Sequence, residues 1–268
     1  MSDEIVLQRT VANKQQTAFP TETIDLPSKG HFYPPGSPLS KGTIELKLMT
    51  AKEEDILTSP NLLKKGLAID KLLESLIVDK NIKINELLLG DKNAVIFAVR
   101  RLAYGDNYGP VDITCPKCQT VNRLNIDLSQ IKEKELDESK YQPGVNEFEF
   151  TLPYSKAVIK FRLLTDSDEK EIERDSVALA KLNNKSSSEV TSRLKKSVIE
   201  FNGETDPVKL KAMVDNMQSR DSLALRQYIR EVTPDINATF DFSCKECGNE
   251  ERAAVPMTVQ FFWPDSRV

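Results

Sequence analysis

Two segments of the chain alternate apolar and polar residues and then break at a pair of cysteines. Val111-Asp112-Ile113-Thr114 leads into Cys115 and Cys118, and Phe240-Asp241-Phe242-Ser243 leads into Cys244 and Cys247. Alternation is the strand period. After Cys118 the chain alternates again through QTVNRLNIDL, which predicts a cysteine pair at a hairpin tip. Elsewhere the period is helical. SPNLLKKGLAIDKLLESLIV predicts one amphipathic helix from near Pro60, with Leu63, Leu67, Leu73, Leu76 and Ile77 on its apolar side. Asn85 opens a short helix, ELLLG. Asp91 is read as the cap of a helix from Lys92 to Ala103 that stops before Gly105. Further helices are expected from Ser167 to about Leu182, from Ser188 to Glu200, and from a cap at Asp206-Pro207 to Met217. A last one covers Arg220 to Val232, before Pro234.

These elements recur. TIELKLMTAKEEDIL at 43–57 aligns with VIKFRLLTDSDEKEI at 158–172, so that Ile44, Leu46 and Leu48 fall on Ile159, Phe161 and Leu163. Thr50 and Thr165 are both placed as helix caps, with Glu53 and Asp168 suited to capping boxes. The segment ending in CPKC aligns with the segment ending in CKEC, Arg101 on Arg230 and Ile113 on Phe242. The second copy is longer, and part of its insertion falls at Asn183–Ser188. The expected fold is α+β, two similar lobes from an internal duplication, each a strand, helices and a strand-CxxC-strand. Residues 1–24 are expected as a flexible arm, 25–142 as the first repeat, 143–257 as the second and 258–268 as an aromatic tail.

Composition narrows the function. Of 268 residues, 39% are hydrophobic and 29% charged, enough for a proper core. No apolar run reaches the 18 or so residues of a membrane span, and MSDEIVLQRT lacks the pattern of a signal peptide. The expected setting is a cytoplasm, or a particle assembled there, where thiols stay reduced. Net charge is −4 and the pI about 5.4, with no basic stripe, which disfavours nucleic acid. One histidine, His31, excludes multi-histidine metal centres. No phosphate-cradling or nucleophile-elbow glycine motif is present. An enzyme is not expected.

The cysteines carry the remaining chemistry. Compact zinc ribbons separate their pairs by roughly 15–20 residues. The interval from Cys118 to Cys244 is far longer, so neither pair makes a local finger. Three readings stand: one shared four-cysteine zinc site, metal-free buried thiols, or a redox pair. A redox CxxC belongs at a helix N-terminus, and the strand pattern after Cys118 disfavours it. All-thiolate coordination favours zinc, one per chain, with iron as the competitor. Gly248, and Gln119 at the matching position, are expected in left-handed backbone. Four thiolates leave no open position for water, so such a zinc is structural.

The segment LPSKGHFYPPGSPLSKG offers Phe32 and Tyr33, and VQFFWPDSRV offers Phe261, Phe262 and Trp263. Two readings compete for these aromatics: they fold back on their own domain, or they are partner-binding anchors. At this point LPSKGHFYPPGSPLSKGTIELKLMTAKEEDIL, LLKKGLAIDKLL, LLLGDKNAVIFAVRRLAYGDNYG and CPKC together resemble the baseplate hub proteins of T-even-type contractile-tailed bacteriophages. The resemblance covers residues 25 to about 130 best. It implies a non-enzymatic structural role in the virion tail baseplate, in several symmetric copies, after assembly in the host cytoplasm. Implied neighbours are hub, tube and wedge proteins and the tape-measure protein, with no nucleic acid and no direct membrane contact. Two alternatives are a transient assembly chaperone for the hub and a zinc-ribbon nucleic-acid-binding protein.

Overall fold

In the computed structural model, which describes residues 20–183, 189–257 and 259–262, the alternating stretches are strands and the 3.6-residue stretches helices. β1 (Thr21–Asp25) pairs antiparallel with β2 (Thr43–Lys47), with Ile24 opposite Ile44. Residues 21–24, expected in a flexible arm, thus belong to a strand: the β2 ladder satisfies their backbone groups. α1 (Ala51–Thr58) starts at Thr50 with the expected capping box, the Glu53 carboxylate accepting from the Thr50 N–H at 3.0 Å. The helix expected from Pro60 is two, α2 (Pro60–Lys64) and α3 (Ala68–Leu76). Gly66, at φ 68°, ends the first in a left-handed turn. Leu63 and Leu67 consequently face solvent, whereas Leu73, Leu76 and Ile77 are buried.

A 3₁₀ turn (Ile84–Glu86) replaces the expected short helix ELLLG. Then come α4 (Leu89–Tyr104), β3 (Asn107–Thr114) and β4 (Val121–Asp127). After a linker follow β5 (Phe148–Thr151), β6 (Val158–Phe161), α5 (Asp166–Asn183) and α6 (Glu189–Ser197). Residues 198–200, expected as helix, form β7 (Val198–Phe201) together with Phe201, because this β-branched and aromatic run completes a sheet of order β5-β6-β7. α7 (Pro207–Asp215) and α8 (Ser219–Val232) precede the hairpin of β8 (Thr239–Ser243) and β9 (Glu250–Ala254). The Asp206 side chain caps α7 as expected, accepting from the N–H groups of Val208 and Lys209. A 3₁₀ turn at Val259–Phe262 follows. The insertion residues 184–188, the arm residues 1–19 and the tail residues 263–268 lie outside the described residues. Among the described residues no helix is long and apolar enough to cross a membrane.

One hydrophobic cluster runs through both sequence halves. Phe32 packs on Phe148 (5.6 Å between centroids), and Phe148 stacks on Phe161 at 5.3 Å. Phe261 meets Tyr108 edge-on at 4.9 Å and stacks on Phe97. The expectation that Phe32, Tyr33, Phe261 and Phe262 face a partner is therefore corrected: all four are buried in the chain's own core. Burying a large ring removes more apolar surface from water than any local polar contact can offset. Trp263 lies outside the described residues.

Polar contacts also cross the halves. Asp70 of α3, Lys92 of α4 and Asp166 and Lys170 of α5 form a closed ring. Lys92 Nζ lies 2.6 Å from Asp70 and 2.5 Å from Asp166, and Lys170 Nζ lies 2.5 Å from each. Both aspartates are buried. With two charges of each sign, each carboxylate meets both ammonium groups and no buried charge is left single.

Asp91 is not the cap of α4. It is the third residue of that helix, and Leu88 holds the cap position. Its buried carboxylate accepts from the Ser28 N–H (2.9 Å) and the Tyr33 hydroxyl (2.5 Å), fastening the β1–β2 loop to α4. Burial raises its pKa. Asp221, third in α8, fastens the β5–β6 turn in the same way through the N–H groups of Tyr154 and Ser155.

Candidate metal centre

The cysteines sit at the tips of the two hairpins, β3–β4 and β8–β9, not before helices. The two tips share one backbone pattern. Cys115 N–H donates to Thr120 O (2.9 Å) and Gln119 N–H to Cys115 O (2.9 Å). Cys244 N–H donates to Asn249 O (2.9 Å) and Gly248 N–H to Cys244 O (3.0 Å). Gln119 and Gly248 take the expected left-handed conformation, φ 62° and 65°.

The hairpins are fixed at their roots. Arg100, fully buried in α4, donates to the carbonyls of Gly105, Asn107 and Phe261, so the start of β3 and the segment after β9 share one anchor. Its guanidinium lies over the rings of Tyr104, Tyr108 and Phe261, which shelter a cation that has no carboxylate among these contacts. Tyr108 donates to Pro256 O at 3.1 Å. The segment after β4 and the segment before β8 meet in an isolated antiparallel bridge, Lys134 N–H donating to Asp235 O and Asn237 N–H to Lys132 O.

At the tips the four sulfurs converge, all within 4.8 Å of one another. Cys115 Sγ is 3.7 Å from Cys247 Sγ, and Cys118 Sγ is 3.6 Å from Cys244 Sγ. The four cysteines are free. A tetrahedron with about 2.3 Å metal–sulfur bonds has sulfur–sulfur edges of about 3.8 Å, so the donor set fits one zinc-sized ion. The two cross-distances are equivalent under exchange of the knuckles, as a local twofold axis requires. Around the thiols lies a small apolar cluster, Phe242 with Ile113, Leu124, Phe240 and Ala253, of which Leu124 and Phe240 also pack against the main core.

The electrostatics agree with a cation-binding role. The Cys244 thiol is pulled down to about 6 by the backbone N–H groups of Cys247 and Glu246 and by the Asn122 amide, against burial. Thr120 lowers Cys118 through its hydroxyl and its N–H. Cys247 accepts from the Asn249 N–H, yet burial and the neighbouring sulfurs push it up to about 12. Packed thiols cannot all ionise against one another unless a cation neutralises them.

All four metal ligands expected from the sequence are thus brought together. Sequence reasoning missed Asn122, Arg100 and the Asp70–Lys92–Asp166–Lys170 ring. Only Asn122 left a signal: in β4 it shares an inward face with Leu124 and Ile126, a polar residue in an apolar set.

A family model described as T4 bacteriophage base plate protein matches residues 20–263. No curated protein and no solved structure matches the chain.

Proposed function

Since the chain belongs to the T4 bacteriophage base plate protein family, we propose that it is a non-enzymatic structural component of the phage tail baseplate, in the hub region. It makes protein–protein contacts with other tail proteins and is crosslinked by one structural zinc. The family match over residues 20–263 carries the baseplate reading. The convergence of four sulfurs supports the zinc. Cys115, Cys118, Cys244 and Cys247 would hold it, and what it supplies is crosslinking: its binding free energy becomes folding free energy, on the order of 10 kcal/mol. Of the five aromatics assigned to partner contact, the reading retains Trp263 alone.

The lobes are read as an internal duplication. Its support is the repeated knuckle bonds and the Thr165–Asp168 contact at 2.9 Å that repeats the Thr50–Glu53 one.

Purified tails are expected to contain the protein and zinc in fixed ratio. Mass spectrometry that finds the protein in assembly intermediates but not in mature tails would replace the structural role with that of a transient hub chaperone. Metal analysis of the recombinant chain should give about one zinc, lost in both Cys115→Ser and Cys244→Ser. Full metal in the Cys244→Ser variant would show that the halves do not share a site.

A further inference from the structure

Asn122 is buried in β4, on the first hairpin, yet it serves the second. Its Nδ2 donates to Cys244 Sγ at 3.5 Å and to Thr120 O at 3.0 Å, and its Oδ1 accepts from the Lys245 N–H at 3.0 Å. Both amide protons and the carbonyl oxygen are used. Between the strands and tips of the two hairpins, among the described residues, these are the side-chain hydrogen bonds that cross from one to the other, the thiol contacts aside. No counterpart comes back the other way. Glu251, which aligns with Asn122 one repeat on, is exposed and pairs with Phe242 within its own hairpin.

We propose that Asn122 is a positioning residue of the four-thiol site: it holds the second knuckle against the first and orients the Cys244 sulfur before a metal ion arrives. The inference rests on the metal-site reading above and assigns to it a residue outside the four ligands. Two half-sites from distant parts of the chain must otherwise find their register only as the ion binds. Fixing one sulfur and one knuckle N–H beforehand removes part of that ordering cost. Groups that orient metal ligands typically change affinity by about 10- to 100-fold when removed. The donor also acts electronically, because an N–H directed at a thiolate withdraws electron density from it.

The test uses the full chain with cobalt(II) as probe and zinc in competition, in Asn122→Leu and Asn122→Asp. Leucine keeps the volume and removes both polar ends. Aspartate keeps the acceptor for Lys245 and replaces the donor with a charge facing thiolates. The wild type should bind one cobalt with the absorption of tetrahedral thiolate coordination. Both variants should bind about 10- to 100-fold more weakly. In the leucine variant the sulfur-to-cobalt charge-transfer band should move to lower energy, a change that loss of packing alone would not produce. If the leucine variant does not fold, the aspartate variant decides the matter by affinity. Wild-type affinity and an unshifted band in the variants would overturn the role of Asn122 while leaving the site intact. A wild-type chain that binds no cobalt through four thiolates would overturn the site itself, and this proposal with it.

Discussion

Gly90→Ala reverses the usual effect of that substitution. Inside a helix, alanine for glycine ordinarily stabilises by roughly 0.5–1 kcal/mol. Gly90 is the second residue of α4, and a Cβ there would stand 1.8 Å from Pro234 O, 2.7 Å from Pro234 C and 2.9 Å from Asp235 Cα. Carbon–oxygen contacts settle near 3.3–3.6 Å, so one backbone must retreat by roughly 1.5 Å. Neither side is free to do so. Leu89 N–H is bonded to Leu164 O, Asp235 O accepts from Lys134 N–H, and Asn93 Nδ2 donates to the Asp235 carboxylate at 3.2 Å. Overpacking costs typically 1–3 kcal/mol, and backbone against backbone belongs at the upper end, about 3 kcal/mol. At about 2–4 °C per kcal/mol for a chain of this class, calorimetry should show Tm lower by about 6–12 °C. The same displacement pulls on the segment entering β8, so cobalt affinity should fall as well. An alanine variant that melts at or above the wild-type temperature would refute the close-approach argument.

Lys92→Met leaves the buried Asp70 and Asp166 facing each other with Lys170 alone, and should cost about 3–5 kcal/mol in urea unfolding; an unchanged midpoint would contradict the ring. Asp168 is held below the ordinary carboxylate range: burial alone would raise it, but two Arg162 bonds at 2.6 and 2.7 Å and the Thr165 N–H outweigh that. Its stabilisation is therefore present above its unfolded pKa of about 3.9 and is lost as pH falls through the lower folded value. Asp168→Asn should reduce stability at pH 7 and flatten the acid limb of the stability–pH curve, and an acid limb identical to wild type would count against this account. Gln119→Gly and Gly248→Gln should act oppositely, because both positions have φ near 60°. The second should lose about 1 kcal/mol, and the first should gain less than that, because it also removes the bond from Gln119 Nε2 to Pro116 O. Thermal melts of the two variants moving in the same direction would rule the backbone explanation out.

The site was legible because its chemistry is local and punctuated. Two CxxC pairs between alternating segments announce knuckles, and a left-handed position after the second cysteine is forced by the tight turn. That the pairs meet was expected only from the proposed duplication. The fold was read less well where tertiary contact overrides local pattern. VIEF extends a helical stretch in sequence, but β6 offers it a ladder. LLKKGL keeps the helical period through Gly66, yet the glycine ends the helix. Asp91 has the composition of a cap, and nothing nearby in sequence reveals that Ser28 and Tyr33 claim its oxygens. Phe32 and Phe261 look like interface anchors when their packing partners lie more than a hundred positions away.

The convergence of Cys118 with Cys244 also has a topological meaning. A metal ion shared by the two knuckles would close the intervening chain into a ring that contains the strands β4 to β8 and the helices α5 to α8. Such a ring shuts only as the two halves dock, because the four-thiol site is not preformed in the loose chain, and a chelator would open it and part the halves together.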